Sequence, residues 1–241
     1  MNIFNFGAKH VDLLPTKVKF GFTLAEVLIT LGIIGVVAAI TIPNLMTNNK
    51  AKKLRSQFLK SYTTVQQVFK LMEADDVSTD PSSYNRNNGD MFYRTFKTYL
   101  AGSTDCYGKK SIPCYDFNTD KYKNLNNTAA VWKYYFDDGQ ILLQDGTLLL
   151  FEQPSGEGAL HIWIFVDING VKEPPNRLGY DLFLFYFAEG ELKTMGDKGT
   201  PMTDNDKYCS LSSTNGINGA TCAHRAKTEA DYFNWVVKNV K

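Results

Sequence analysis

The feature that most constrains this chain is an apolar run from Phe22 to Ile42 that contains one acidic residue, Glu26. Apart from Glu26 and three threonines, the run consists of Phe, Leu, Ala, Val, Ile and Gly. At about 1.5 Å per residue, a helix of this length reaches roughly 30 Å, which is enough to cross the hydrocarbon core of a bilayer. An ionised carboxylate is costly in such a segment, so Glu26 is expected to have a partner or a function. The run therefore predicts a membrane helix with one acid that must be compensated.

Glu26 lies within a longer ordered motif, GFTLAEVLI, which runs from Gly21 to Ile29 and is followed by Pro43. This motif resembles the N-terminus of the type IV pilins and of the pseudopilins of type II secretion. The resemblance implies that a prepilin peptidase cuts after Gly21 and N-methylates the new terminal residue, Phe22. It also implies that Glu26 pairs with the terminal amine of a neighbouring subunit during filament assembly. Pro43 stands about where the family tends to carry a proline.

The resemblance divides the chain into four segments. They are a cleaved leader (1–21), a hydrophobic transmembrane and filament-core helix (22–46), the amphipathic half of the same helix (47–74) and an extracytoplasmic globular head (75–241). The implied location is the bacterial cytoplasmic (inner) membrane, as a single-pass protein, and then a pilus or pseudopilus filament. Charge alone does not fix this orientation, because basic residues precede the apolar run and also follow it, at Lys9, Lys17, Lys19, Lys50, Lys52, Lys53 and Arg55.

Two different periods follow Pro43. Apolar residues first recur every three or four positions, at Leu54, Phe58, Tyr62, Val65, Phe69 and Met72, which is typical of one face of an amphipathic helix. Short apolar runs come later, at Val131–Phe136, Ile141–Leu143, Thr147–Phe151, Leu160–Val166, Leu182–Phe187 and Leu192–Met195. Asp-Gly or Glu-Gly pairs between several of them are typical of tight turns.

These periods predict an α+β fold of pilin-like type, in which a long N-terminal α-helix packs on an antiparallel β-meander head. A short helix is expected from Asp90 to about Leu100. Another is expected in the tail, from Lys227 to Val240.

The four cysteines indicate an oxidising compartment, in keeping with a head outside the cytoplasm. Four cysteines allow three pairings. The pairs Cys106–Cys114 and Cys209–Cys222 are favoured because each closes a short polar loop. Neither spacing is Cys-x-x-Cys, so a zinc or thioredoxin-like site is not expected.

The sequence gives little support for enzyme chemistry. The three histidines do not have a metal-binding helical spacing, and there is no Gly-x-Ser-x-Gly motif. Lys and Arg total 26 against 25 for Asp and Glu, so the net charge favours neither nucleic acid nor acidic substrates. The chain is therefore expected not to be an enzyme and not to bind nucleic acid specifically.

One polar loop remains open to two interpretations. Asp167, Asn169 and Asp181 place short oxygen-bearing side chains around glycines, as a calcium site would, and some pseudopilin heads bind calcium in a loop. The alternative is a turn in which Asp and Asn bond their own backbone, and this interpretation is favoured. The expected cofactor set is therefore none, with calcium as the one candidate.

Together these observations predict a structural subunit of a type IV pilus or type II secretion pseudopilus. Its expected partners are prepilin peptidase, copies of itself or related pilins, the secretion or pilus assembly machinery, and the membrane. The alternative is a membrane-anchored extracytoplasmic binding protein with a pilin-like N-terminus that does not polymerise.

Overall fold

A computed structural model of the chain describes residues 21–84, 91–153 and 161–240. The chain divides into two compact units, Met1–Asn44 and Leu45–Lys241. The leader expected at 1–21 lies outside the described residues except for Gly21.

The longest element is α1, which spans Leu24–Ala74 and continues through Pro43. Its buried residues all lie in the second unit: Ala51, Leu54, Phe58, Ser61, Val65, Val68, Phe69 and Met72. They include five of the six positions of the predicted stripe, and the sixth, Tyr62, is partly buried. The 3.6-residue period therefore identified the face of the helix that packs on the head.

A six-stranded antiparallel meander forms the centre of the second unit, with the strands in chain order. The strands are β1 (Thr104–Asp105), β2 (Gln140–Leu142), β3 (Leu148–Glu152), β4 (His161–Asp167), β5 (Leu182–Ala188) and β6 (Glu191–Thr194). A two-residue turn, Glu189–Gly190, joins β5 to β6, and both residues have positive φ, 53° and 74°. This backbone matches the twist of a hairpin, so the turn signal in the sequence was informative. The predicted α+β class is confirmed.

Both faces of the sheet are buried. Phe183, Phe185 and Phe187 belong to the cluster that contains the stripe of α1, and the Phe58 ring lies 4.7 Å from that of Phe183. Leu182 and Leu184 belong to a second cluster on the opposite face. That cluster is completed largely by segments outside the sheet: Tyr115, Tyr122, Val131, Phe136, Val171, Leu178, Ile217 and Ala220. Because β5 is covered on both sides, it reads as a continuous apolar run rather than an alternating one.

The prediction of a strand at Val131–Phe136 is wrong. The residues Lys133–Phe136 form a 3-10 helix, in which the Tyr135 N–H donates to the Trp132 carbonyl at 3.1 Å. This turn buries Phe136 under the sheet and places the Tyr135 ring 5.4 Å from that of Trp163. A high aromatic content was read as a strand although the residues do not alternate.

The remaining helices are α2 (Phe92–Thr98), α3 (Asn205–Tyr208), α4 (Cys222–Thr228) and α5 (Tyr232–Asn239), and a 3-10 turn covers Pro81–Ser83. The helix expected from Asp90 to Leu100 corresponds to α2, and Asp90 lies outside the described residues. The tail was expected to be one helix, but it is two. The break between α4 and α5 leaves the Ala230 carbonyl free of helical bonding, and it accepts a hydrogen bond from Arg55 Nη1 at 2.7 Å.

Two disulfides join neighbouring parts of the head. Cys106 is bonded to Cys114 and Cys209 to Cys222, which is the pairing that the short loops favour. All four cysteines are buried. The bonds therefore fix buried chain beside each of the two apolar clusters.

Both outer strands of the sheet are protected. β1 has only two residues. At β6, the Leu192 carbonyl accepts a hydrogen bond from the Tyr62 hydroxyl at 3.1 Å, and the Thr194 N–H donates to Asp197 Oδ2 at 3.0 Å. Lys227 Nζ contacts both Tyr62 and Asp197.

Candidate processing and assembly site

The expected cleavage point lies just before α1. Gly21, Phe22 and Thr23 are outside the helix, which begins at Leu24. The Phe22 side chain is 90% exposed, and a Cβ atom built on Gly21 would meet no described atom within 4 Å. The peptide bond between Gly21 and Phe22 is therefore open to approach within the described part of the first unit.

Thr23 and Glu26 form a reciprocal capping box at the start of α1. The Thr23 N–H and hydroxyl both donate to Glu26 Oε2 at 2.8 Å. The Glu26 N–H donates to Thr23 Oγ1 at 3.2 Å, so each residue satisfies a backbone donor of the other. The capping role of Thr23 was not predicted from the sequence, where Glu26 was interpreted as a charge in lipid. The signal was present, since Thr-x-x-Glu before an apolar run is the capping-box pattern.

A shallow groove lies beside this capping box. It has a volume of about 420 Å³ and is lined by Phe22, Glu26, Val27 and Thr30. Glu26, Val27 and Thr30 are spaced so that they share one side of α1, and Phe22 precedes the helix beside them. The groove thus combines apolar surface with the one carboxylate of the apolar run.

The apolar residues of the first unit are exposed along α1. Leu28, Ile34 and Ile40 are each at least 60% exposed, and their neighbours are similar. This segment is long and apolar enough to span a membrane, judged by its length and composition alone. Since apolar surface on this scale is unfavourable in water, the segment needs lipid or protein around it.

Pro43 is incorporated within α1 rather than ending it. A proline has no N–H to donate to the preceding turn. Next to it, Asn44 Nδ2 donates to the Ile40 carbonyl at 3.2 Å, and Thr41 Oγ1 donates to the Val37 carbonyl at 2.9 Å. These side chains supply additional hydrogen bonds to carbonyls in the turn around the proline.

The loop proposed for calcium is organised around two buried carboxylates. Asp167 Oδ1 accepts the N–H of Gly170 at 2.8 Å, and Asp167 Oδ2 accepts the Tyr122 hydroxyl at 2.8 Å. Asp181 accepts the N–H groups of Arg177 at 2.6 Å and Asn176 at 2.9 Å. Three of the four carboxylate oxygens thus accept backbone N–H groups of the loop, as expected of a turn, and the fourth accepts the hydroxyl of Tyr122 from another segment.

Although the Asp167 and Asp181 carboxylates are hydrogen-bonded, their burial disfavours the charged form. Burial raises the pKa of the Asp167 carboxyl above its usual range, and the Asp181 charge raises it further. Burial also raises the pKa of the Asp181 carboxyl. Asn169 Oδ1 and Asn176 Oδ1 are buried and accept no hydrogen bond from the described residues. Oxygen atoms of this kind suit a hard cation, so calcium at Asp167, Asn169 and Asp181 stays a prediction.

A second acidic group was not predicted. Asp137, Asp138 and Glu152 each bring a carboxylate oxygen within 4.8 Å of the others. Asp138 Oδ2 accepts the N–H of Gln153 at 2.8 Å. The described contacts therefore include a structural role for Asp138 between the start of β2 and the end of β3.

Comparison with known families identifies the N-terminal segment. Residues 16–42 match the prokaryotic N-terminal methylation motif. The methylation motif is consistent with the type IV pilin and pseudopilin family, and it supports a pilin-like precursor that prepilin peptidase processes. Together with the apolar helix, it also supports membrane anchoring. Comparison of the chain with curated proteins and with solved structures gave no match.

Proposed function

We propose that this chain is a structural subunit of a type IV pilus or type II secretion pseudopilus, cut between Gly21 and Phe22 and assembled through the apolar part of α1. The observation that carries the proposal is the methylation motif on a helix whose apolar side chains are exposed in the described structure. A helix that is apolar all round is stable only when it is surrounded by lipid or by protein. A filament subunit uses both surroundings, first the bilayer and then neighbouring helices.

Glu26 supplies the specificity of this assembly. A carboxylate in an apolar environment is stabilised by an opposite charge, and cleavage after Gly21 creates an ammonium group on Phe22. The bonds from Thr23 go to Oε2, whereas Oε1 accepts no hydrogen bond from the described residues. The Phe22 amine of a neighbouring subunit is the partner for Oε1, and the groove beside Glu26 receives the approaching apolar side chains.

The head contributes surface rather than catalysis in this proposal. The two described histidines have structural contacts: the His161 ring stacks on Tyr186 at 5.4 Å, and His224 Nδ1 lies 2.5 Å from Asp197 Oδ1. The disulfides favour an oxidising compartment, which agrees with a head outside the cytoplasmic membrane. The partners are then prepilin peptidase, other subunits and the assembly machinery.

The test compares processed N-termini with sheared filament fractions for wild type, Glu26→Ala, Glu26→Gln and Glu26→Asp. Mass spectrometry of wild type should give N-methylated Phe22 as the first residue. Glu26→Ala and Glu26→Gln should be cut normally but incorporated poorly, because the neighbour's ammonium is left without a counter-charge. The matched control, Glu26→Asp, keeps the charge and should retain part of the incorporation.

Three results would contradict separate parts of the proposal. An intact Met1 terminus on membrane-inserted wild type would reject processing. Processed wild type that is absent from filaments would favour the membrane-anchored binding protein. Normal incorporation of both Glu26→Ala and Glu26→Gln would reject the charge pair.

A further inference from the structure

The start of α1 is set within two residues of the expected cleavage point. The first helical bond runs from the Val27 N–H to the Thr23 carbonyl at 3.2 Å, which makes Thr23 the N-cap of the helix. Phe22 is the single residue between this cap and Gly21. The peptide bond to be cut therefore lies outside the helix and is separated from it only by Phe22 and Thr23.

This position is sensitive because unsatisfied N–H groups are costly near lipid. The first turn of any helix has four N–H groups without a helical acceptor. In α1 the capping box serves two of the donors involved, those of Thr23 and Glu26. Without the box, these donors can be satisfied by adding another turn, which would place the Gly21–Phe22 bond inside the helix.

We propose that Thr23 is a positioning residue for processing, because its capping box with Glu26 makes the helix begin after Thr23 and keeps the Gly21–Phe22 bond outside it. A protease active site holds its substrate extended, so a bond within a helix must unwind before it can be cut. The inference rests on the processing step of the proposed function. It gives the second residue after the cut a role separate from that of the charge on Glu26.

The two halves of the box are not equivalent. The Thr23 hydroxyl accepts the Glu26 N–H, and this bond requires no carboxylate at position 26. Replacing Glu26 therefore leaves the N-cap in place, whereas replacing Thr23 removes it. The expected order of effects on cleavage is consequently Thr23 before Glu26, the reverse of the order expected for filament assembly.

The experiment measures the rate at which the full-length precursor is converted in membranes that contain prepilin peptidase, at equal levels of inserted precursor. Thr23→Val has nearly the same shape as threonine but no hydroxyl, and its cleavage should be slower by on the order of fivefold, the population shift that one N-cap typically produces. Thr23→Ser keeps the hydroxyl and should be cut at close to the wild-type rate. Hydrogen exchange of the full chain in detergent should show protection of the Phe22 amide in Thr23→Val alone, since the amide of residue 23 already has an acceptor in wild type.

The outcomes separate this inference from the function on which it rests. Wild type cut after Gly21, with Thr23→Val cut equally fast, would overturn the inference and leave the proposed function intact. Equal slowing in Thr23→Val and Thr23→Ser would also overturn it, since the hydroxyl would then be irrelevant. Wild type that is not cut at all would overturn both.

Discussion

The two halves of α1 form one continuous helix but differ in how far their apolar side chains are buried. In the first unit, Leu28, Ile34 and Ile40 stand exposed on a helix that has apolar residues on every side. In the second unit, Leu54, Phe58 and Val65 are at most 3% exposed, while Lys60 and Thr63 on the other side of the helix are exposed. The second half of α1 packs into a core formed by its own chain, whereas the first half leaves its apolar side chains exposed in the described structure.

The two halves of α1 show that the period of apolar residues in a sequence indicates how many sides of a helix are buried. The stripe after Pro43 is one-sided, because one face of α1 meets the sheet. The run before Pro43 has no polar side, because it is surrounded completely, by lipid or by other subunits in the proposed function. Substitutions in the two halves should therefore change different properties.

The largest expected effect contrasts a buried and an exposed apolar residue of α1. Phe58→Ala removes a fully buried ring that packs on Phe183, and we expect it to lower the free energy of unfolding of the head by about 3–5 kcal/mol. Ile34→Ala is the control, since Ile34 is 62% exposed, and it should leave head stability unchanged. Urea unfolding of the full chain in detergent, followed by tryptophan fluorescence, measures both. Equal losses in the two variants would show that the comparison is false.

A smaller effect is expected from the disulfides. Replacing Cys209 and Cys222 with serine opens a loop with a sequence separation of 13, and the chain-entropy model gives a loss of about 3 kcal/mol. Replacing Cys106 and Cys114 opens a loop with a separation of 8, and the loss should be slightly smaller. Both double variants should still be cut after Gly21, because the bonds lie in the head. A processing defect with normal membrane insertion would indicate that the two units are coupled.

The smallest effect concerns the buried carboxylates of the head. Because the pKa values of Asp167 and Asp181 are raised in the folded state, the folded state holds protons that the unfolded state has released. The free energy of unfolding should therefore fall, on the order of 1 kcal/mol, as the pH rises from 6 to 8. Thermal unfolding of wild type and Asp181→Asn, with calcium and with a chelator, tests this. Asp181→Asn should show a weaker dependence on pH.

Calcium changes the expected result of the same measurement. If Asp167, Asn169 and Asp181 hold the ion, calcium should raise the melting temperature of wild type and flatten its dependence on pH, with no effect on Asp181→Asn. The same melting temperature with calcium and with chelator would reject the calcium site and leave the loop as a hydrogen-bonded turn.

Periodicity was sufficient to predict much of the fold. The stripe from Leu54 to Met72 and the runs that correspond to β2 to β6 were predicted from the spacing of apolar residues, which is visible in one sequence. The second apolar cluster, on the face of the sheet opposite α1, could not be predicted from periodicity. Its residues Tyr115, Tyr122 and Ile217 come from irregular segments without a period. Val131–Phe136 failed for a related reason: aromatic residues in a 3-10 turn can fill a core as well as those in a strand.

The candidate site likewise combines features that the sequence predicted with features that only the structure revealed. Gly21, Phe22 and Glu26 were predicted as processing and assembly residues because an ordered motif and an acid in an apolar run are both visible in the sequence. The role of Thr23 was missed because its hydroxyl was counted as a polar interruption of the run, although its three-residue spacing from Glu26 identified a cap. The buried environment of Asp167 and Asp181 depends on Tyr122, which is 45 residues distant in sequence from Asp167, and so only the folded chain reveals it.

The protected outer strands of the sheet have a consequence for crowding. In the proposed function, subunits held in one membrane plane, and later in one filament, meet their neighbours at very high local concentration. An open strand edge under those conditions is a template for edge-to-edge pairing of heads and for irreversible aggregation. With Leu192 and Thr194 already bonded to Tyr62 and Asp197, and with β1 only two residues long, the described sheet offers little such template. In the proposed filament, association between copies is thereby directed away from the backbone of the heads and left to the surface of the helix.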